Sequence, residues 1–244
     1  MSYWWVLVLP FGASLLAAIL PTRERNSESL LAGAAATACA VLLASAFPTI
    51  AGGEVITERI AWLPHLGIDL VLRIDGFAWM FGMLVSVIGA LVVLYARYYL
   101  SAEDPAARFY SLLLAIMGSI MGLVQSGNLV QMVAFWELTS LFSFLLIGYW
   151  HHRKDARRGA RMAFVVTATG GLALLAGVLI LGQIAGSYDW QEVLAAGDQV
   201  RSHELYAAAP PSRAAARSGR GTARSWSARR PAPAAPRACT TRAT

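Results

Sequence analysis

Glu137 is the one acidic residue that lies deep inside a long apolar stretch of this sequence, Leu129–Trp150. A carboxylate at the centre of a bilayer costs about 2.5–3.5 kcal/mol on insertion scales, so an intramembrane acid is rarely retained by chance. Such a carboxyl can take up and release a proton, which makes Glu137 a candidate for an ion pathway. The alternative interpretation is a protonated glutamate that only hydrogen-bonds a neighbouring helix.

Ser140 is the second candidate because it lies about one helical turn from Glu137. Residues three and four positions apart share a helix face, so the hydroxyl could donate to the carboxylate or extend a hydrated path from it. Ala134, Leu141 and Phe144 complete the same face. We therefore predict that Glu137 and Ser140 are the ion-pathway residues.

Motifs typical of membrane enzymes are missing from the sequence. Paired aspartates within apolar stretches and the HExxH motif are both absent. Cys39 and Cys239 have neither metal-ligand spacing nor the setting of a disulfide framework. His151 and His152 stand together beside basic residues, where solvated side chains are expected. The sequence thus predicts no catalytic site, no metal site and no cofactor, and it favours a protein that is not an enzyme.

The elements that must position Glu137 are long apolar helices. Hydrophobic residues make up 57% of the chain and charged residues 14%, whereas soluble domains have roughly 25% charged residues. A helix needs about 20 apolar residues to cross a bilayer, and its backbone groups must pair internally in lipid. We predict an all-α polytopic membrane protein with about six transmembrane helices. The spans are about 3–20, 30–50, 76–98, 109–125, 129–150 and 162–185.

A short β-hairpin is predicted between the second and third spans. Apolar residues recur at every second position of 68–74, which is the period of a β-strand. Residues 55–63 are a weaker strand candidate, and the Pro-His-Leu-Gly sequence at 64–67 has turn chemistry. The alternative is an irregular loop. Asp75, which follows directly, is interpreted as the N-cap of the third span rather than as a site residue.

Glycine pairs in two of the spans predict close packing between helices. Gly118 and Gly122 form a GxxxG pair, which lets helix backbones approach each other. Gly170 and Gly171, together with Thr167, give the sixth span a polar notch. We interpret this notch as a packing feature as well.

The distribution of basic residues indicates how the chain is oriented. Nine basic residues lie in the connections after the first, third and fifth spans, and two lie after the second and fourth. Because basic loops stay in the cytoplasm, the N-terminus and the hairpin are predicted to be extracytoplasmic. The nine are Arg23, Arg25, Arg97, Arg108, Arg153, Lys154, Arg157, Arg158 and Arg161, and the two are Arg59 and Arg73.

Residues 208–244 have a different composition from the rest of the chain. They contain 12 Ala, 8 Arg and 5 Pro but no Leu, Ile, Val, Phe or acidic residue. Such a segment cannot bury a core, so disorder is predicted. A basic arm for nucleic acid or anionic lipid is one interpretation, but it fits poorly with a tail on the outer side. We favour a tail translated out of frame from a GC-rich gene, and we expect no nucleic-acid partner.

Several motifs resemble the antiporter-like subunits shared by Mrp sodium/proton antiporters and respiratory complex I. The fifth-helix motif of that family is similar to FWELTS at 135–140 followed by SFLLIG at 143–148. The resemblance covers about residues 1–207, which are therefore predicted to be the N-terminal part of an antiporter-like transmembrane domain. Residues 75–77, 95–99 and 108–110 match in order and spacing, and 187–206 most resemble the large A-type component of the Mrp antiporter.

The resemblance implies a bundle of about fourteen helices with two five-helix inverted repeats, of which this chain would hold only part. In the family, the fifth-helix glutamate works beside a lysine of the seventh helix. Glu137 matches the glutamate, whereas the lysine has no match. Lys154 is the only lysine of the chain and is predicted to lie in a loop. The implied mechanism is reversible protonation of Glu137 coupled to a nearby lysine.

The implied function is that of a subunit, or a truncated fragment, of a multisubunit monovalent cation/proton antiporter. It would move H⁺ against Na⁺, or another monovalent cation, across a bacterial cytoplasmic membrane. Its partners would be the other subunits of a hetero-oligomeric antiporter complex and the lipid bilayer. The alternatives are a proton-pumping membrane-arm subunit of a complex I-like NADH dehydrogenase or hydrogenase, a non-conducting structural subunit, and a non-functional product.

Overall fold

The computed structural model describes residues 2–19, 25–63, 68–100 and 104–203. By its contacts the chain divides into two units, Met1–Val200 and Arg201–Thr244, and nearly all described residues belong to the first. The predicted hairpin turn at 64–67, the predicted domain boundary at residue 207 and the tail at 208–244 lie outside the described residues.

Long apolar helices form most of the described part of the chain. Five of the helices there are long and apolar enough to span a membrane, and a sixth, Trp5–Ile19, is apolar but shorter. These six correspond to the six predicted spans, so the prediction of an all-α polytopic protein is confirmed. The elements are α1 (Trp5–Ile19), α2 (Arg25–Ser45), α3 (Phe47–Ala51), β1 (Ile56–Leu63), β2 (Ile68–Ile74), α4 (Gly76–Tyr99), α5 (Ala106–Val124), α6 (Leu129–Ile147), α7 (Lys154–Ala185), α8 (Trp190–Ala195) and α9 (Gly197–Ser202).

The start of α7 differs from the prediction. The apolar run predicts a span from residue 162, but the helix begins at Lys154, so Lys154 and three of the arginines assigned to a loop lie in its first two turns. Arginine and alanine are good helix formers, and Asp155 in the first turn complements the helix dipole. Hydropathy marks where a helix can enter lipid, and it does not mark where the helix begins.

The second predicted span, 30–50, is not one helix. α2 begins earlier, at Arg25, and ends at Ser45, and the separate short helix α3 follows with Pro48 in its first turn. Proline cannot donate the backbone hydrogen bond that would continue α2. At the other side of the hairpin, the predicted N-cap of α4 is confirmed, because Asp75 accepts a hydrogen bond from the Ala78 N–H at 2.8 Å.

The predicted β-hairpin is confirmed. β1 and β2 pair antiparallel, with Ile56 opposite Ile74 and Ile60 opposite Leu70. β2 is also bonded to the connection between α5 and α6, where the Arg73 N–H donates to the Gln125 carbonyl at 2.8 Å. The hairpin is thereby attached directly ahead of the helix that carries Glu137.

α5 lies at the centre of the bundle and contacts α1, α2, α4 and α6. A Cβ on Gly118 would lie 3.0 Å from a ring carbon of Phe11 in α1, and a Cβ on Gly122 would overlap the Phe135 ring in α6. These glycines therefore serve close packing, as the GxxxG spacing predicts. α7 packs against α6.

Candidate functional site

Hydrogen bonds at the beginning of α6 fix the helix that carries Glu137. Asn128 caps the helix and accepts a hydrogen bond from the Val130 N–H at 2.9 Å. One turn further, the Gln131 side chain accepts from the Val71 N–H of β2 at 2.8 Å. Because the N-cap hydrogen bond and the hydrogen bond to β2 both act on the first turn of α6, the position of α6 along its axis is well defined relative to the hairpin.

Glu137 lies in the contact between α6 and α7. Its side chain is partly buried, and its carboxyl rests against Gly171 of α7. A Cβ built on Gly171 would overlap Oε1 of Glu137 and lie 2.6 Å from its Cδ. The carboxyl therefore occupies space that any other residue at position 171 would fill.

Oε1 of Glu137 is buried and accepts no hydrogen bond from the described residues. A buried polar oxygen without a donor is costly, and it is most costly when the group is ionised. A donor that satisfies Oε1 would therefore have to come from outside the described part of the chain.

Ser140 does not hydrogen-bond Glu137. Its hydroxyl donates to the Trp136 carbonyl at 3.2 Å, as serines in helices commonly do with the residue four positions earlier. Of the two roles that the sequence allows Ser140, the structure does not show the direct hydrogen bond to the carboxylate, and the extension of a hydrated path stays a prediction. Ser140 lines a cavity of about 270 Å³ that also contacts Trp136. Three further hydroxyl residues line this cavity, namely Thr139, Ser143 and Thr167.

A larger cavity of about 730 Å³ lies toward the beginning of α6. Trp136, the neighbour of Glu137 in sequence, lines this cavity as well as the hydroxyl-lined one. Its polar lining includes Ser126 and the ion pair between Arg73 and Asp75, whose Nη1 and Oδ2 atoms are 2.8 Å apart. Cavities thus lie beside the Trp136 side chain toward both ends of α6.

Basic residues surround a third cavity, of about 410 Å³, toward the end of α6. Phe144 lines both this cavity and the hydroxyl-lined one. Close by, the Tyr149 hydroxyl donates to the Pro105 carbonyl at 3.2 Å. Burial, together with the Asp104 carboxylate, raises the pKa of Tyr149 to about 12, so this hydroxyl stays protonated near neutral pH. The basic lining residues are Arg108, His151, Arg157 and Arg161.

The described residues provide no ammonium partner for Glu137. Lys154 begins α7, about 25 Å along the helix from Gly171 at roughly 1.5 Å per residue, and it is the only lysine of the chain. No group of three or more His, Cys, Asp or Glu side chains that could hold a metal ion occurs within the described ranges. The described residues thus do not supply the lysine that the family resemblance implies for Glu137.

The place of Gly171 in the site is the feature that the sequence analysis missed. Gly170 and Gly171 are interpreted from the sequence as packing residues, yet Gly171 contacts the carboxyl of Glu137 directly. A glycine pair in a helix interior is costly relative to alanine, which is a signal that the position is special. That signal does not say which residue of the neighbouring helix lies opposite.

Two family models match the chain. Residues 126–208 match the model described as "NADH:quinone oxidoreductase/Mrp antiporter, TM", and this region contains Glu137, Ser140 and Gly171. Residues 62–110 match the model described as "NADH-Ubiquinone oxidoreductase (complex I), chain 5 N-terminus". The second region contains β2 and α4.

Curated relatives and a solved structure show the same similarity. The chain is 52% identical over 200 residues to a probable K(+)/H(+) antiporter A/B subunit of Rhizobium meliloti (strain 1021), with 82% of this chain and 20% of the relative covered. It is 38% identical over 197 residues to a protein named mnhA2, an antiporter component of Staphylococcus aureus (strain MSSA476), with 79% and 25% covered.

Among solved structures, the Mrp complex from Dietzia sp. DQ12-45-1b contains a chain that matches with a TM-score of 0.69 and 26% identity. The match covers 80% of this chain and 21% of that chain. The chain therefore spans about a fifth to a quarter of the length of these relatives.

Proposed function

Because the chain belongs to the family of antiporter-like membrane subunits shared by Mrp antiporters and complex I, we propose that it forms part of a subunit of a multisubunit monovalent cation/proton antiporter. One observation carries the proposal. Glu137 lies within a membrane-length helix, with a buried carboxylate oxygen that no described residue hydrogen-bonds. We propose that this carboxyl is the group that exchanges protons.

The proposed mechanism is reversible protonation of Glu137, coupled to a cationic side chain from another segment or subunit. A cation brought next to a carboxyl favours its ionised form, and withdrawal of the cation favours protonation. Approach of the cationic side chain would thus release a proton from Glu137, and its withdrawal would let Glu137 bind another proton. Protons would reach the site through the cavities that meet Trp136, one of which is lined by Ser140.

The partners in this proposal are the other subunits of the antiporter complex, the lipid bilayer, H⁺ and a monovalent cation. Sodium is the cation implied by the sequence motifs, but the Rhizobium meliloti relative carries the name of a potassium antiporter component. Potassium is thus the second candidate. The proposed location is a bacterial cytoplasmic membrane with the N-terminus outside.

A respiratory role is the second candidate function, because both matching family models also carry the names of complex I proteins. In that case, proton movement would depend on electron transfer elsewhere in the complex. An antiporter instead moves protons when a cation gradient is the only source of energy. The two candidates therefore differ in what drives transport.

The experiment that tests the function uses a chimaera inside the whole assembly. The 200 aligned residues replace the corresponding segment of the Rhizobium meliloti relative, which is expressed with its partner subunits in antiporter-deficient cells. Inverted vesicles energised with a proton gradient then receive K⁺ or Na⁺ without NADH or quinone. We expect cation-dependent release of the gradient, reported by a pH-sensitive dye. A chimaera that is as abundant as the parent but releases no gradient with either cation would overturn the proposal.

A further inference from the structure

Gly171 and Gly177 lie in the same apolar helix, α7, but their surroundings are opposite. A Cβ on Gly171 would overlap Oε1 of Glu137 and would lie 3.4 Å from Oε2. Among the residues that the structure describes, no atom would lie within 4 Å of a Cβ on Gly177. The lack of a side chain therefore matters at position 171 and has no steric consequence at position 177.

Backbone conformation does not explain a glycine at position 171. The described glycines with positive φ are Gly53 and Gly186, and Gly171 lies well inside α7. In a helix interior, glycine is less favourable than alanine by about 1 kcal/mol. What distinguishes Gly171 from Gly177 is therefore the neighbour that occupies the space beside it, and that neighbour is the carboxyl of Glu137.

We propose that Gly171 is a positioning residue that seats the carboxyl of Glu137 in the contact between α6 and α7. This inference rests on the proposed function of Glu137 as a proton relay. With a hydrogen atom in place of a side chain, Gly171 allows the carboxyl to lie between the helices. Any larger residue pushes the carboxyl out of the contact or separates α7 from α6, and either change alters the position of the carboxyl.

The contact also predicts which second change restores activity. Aspartate is shorter than glutamate by one methylene, so its carboxyl retracts toward α6 and leaves room beside position 171. Gly171→Ala alone should be strongly impaired, whereas Gly171→Ala combined with Glu137→Asp should recover toward the activity of Glu137→Asp alone. Two residues that do not touch would instead give losses that multiply.

The test compares five variants in the chimaeric antiporter assembly: Gly171→Ala, Gly177→Ala, Glu137→Asp, Glu137→Gln and the double variant. Cation-dependent proton movement is measured in vesicles with K⁺ and Na⁺ pulses, and the amount of the chimaera is measured in the same membranes. We expect about tenfold or greater loss for Gly171→Ala, the scale of a misplaced proton-transfer group. The matched control Gly177→Ala should stay within about twofold of the parent.

Infrared difference spectroscopy of the purified complex adds a readout that helix packing alone would not move. The carboxyl band that disappears in Glu137→Gln is followed in the two glycine variants. It should shift in Gly171→Ala and stay in place in Gly177→Ala. If Gly171→Ala fails to accumulate while the double variant accumulates and transports, the conflict is at Glu137 and the inference is supported.

Two results would overturn the inference. The first is a Gly171→Ala variant with the same transport and the same carboxyl band as Gly177→Ala. The second is a double variant that is no better than Gly171→Ala alone in transport or accumulation. Failure of the proposed function has a different signature, since Glu137→Gln itself would then transport like the parent.

Discussion

At the scale of single residues, the site consists of the Glu137 carboxyl, the glycine against which it lies and the hydroxyl residues of a nearby cavity. Glu137 supplies the proton-binding group, Gly171 leaves room for it, and Ser140 lines the adjoining cavity after satisfying its own hydrogen bond at the Trp136 carbonyl. Because that hydroxyl forms no hydrogen bond with Glu137, its oxygen can accept a hydrogen bond from water in the cavity. The two predicted site residues thus share no hydrogen bond. Glu137 contacts Gly171, whereas Ser140 lines the cavity.

Replacing Ser140 by alanine tests the cavity. If the hydroxyl helps to hold water on the way to Glu137, Ser140→Ala should slow cation-dependent proton movement by about two- to tenfold, the factor that one hydrogen bond of about 0.5–1.5 kcal/mol supplies. Ser45→Ala is the matched control, because Ser45 also donates to a backbone carbonyl, that of Leu42, but lies at the end of α2. Equal rates in the two variants, measured in vesicles, would remove Ser140 from the pathway.

The sequence identifies Glu137 but not Gly171, for a physical reason. A charged residue in an apolar span is visible from hydropathy alone, since its cost does not depend on which helix lies opposite. The partner of Glu137 depends on how α7 is rotated about its axis. α7 is apolar around much of its circumference between Met162 and Ala185, so its composition does not specify that rotation.

At the scale of elements, the hairpin and α7 set the geometry around α6. The predicted β-strands are found because period-two alternation and turn chemistry are local signals, whereas the start of α7 is misplaced because its first turns are basic. Hydrogen bonds from β2 to the α5–α6 connection and to Gln131 hold the hairpin against the bundle. The hairpin thus determines where the large cavity beside Trp136 begins.

A substitution at Gly127 should loosen the hairpin from the bundle. The Gly127 N–H donates to the Val71 carbonyl at 2.8 Å, and a Cβ on Gly127 would lie 3.0 Å from the Val71 Cβ. Gly127→Ala should therefore destabilise this contact by about 1–3 kcal/mol, as overpacking does. Hydrogen exchange in lipid nanodiscs should be faster at the amides of Arg73 and Gly127.

Gly12→Ala provides the matched control for the hairpin test. Gly12 lies in α1, and a Cβ there would have no atom within 4 Å. Hydrogen exchange at the amides of Arg73 and Gly127 should therefore be unchanged in this variant. If Gly127→Ala leaves exchange at the level of Gly12→Ala, the hairpin is not held by this connection.

At the scale of the whole molecule, α6 and α7 leave much of their apolar surface exposed. Trp136 is 44% exposed and Val165 is 63% exposed. The chain covers about a fifth to a quarter of the length of these relatives, and we propose that further helices cover this side in a complete assembly. The partner cation of Glu137 is expected from that side, and its identity is not encoded in the described residues.

Orientation is also a property of the whole molecule. The nine-to-two distribution of basic residues predicts that the end of the bundle near Arg157 faces the cytoplasm and that the end near Glu54 faces outward. In a background of Cys39→Ala and Cys239→Ser, a membrane-impermeant thiol reagent should label Arg157→Cys only from the cytoplasmic side. Glu54→Cys should be labelled only from outside, since both parent residues are exposed.

The inverse labelling pattern would mean that the orientation is opposite to the predicted one and that the hairpin faces the cytoplasm. Labelling of both positions in right-side-out and inverted vesicles separates the two orientations without any assumption about transport. A double variant in one chain serves as the control for leaky vesicles, because only one of its two thiols should react in each preparation.

Protonation of Glu137 during cation exchange is tested most directly by Glu137→Gln in the chimaeric assembly, with Glu137→Asp measured beside it. Glutamine keeps the size and hydrogen-bonding capacity of the side chain but cannot release a proton or carry a charge. We predict that antiport with the transported cation falls by about tenfold or more in Glu137→Gln, while Glu137→Asp stays partly active and both variants assemble normally. A glutamine variant that exchanges cations for protons at the parental rate would contradict the proposed mechanism.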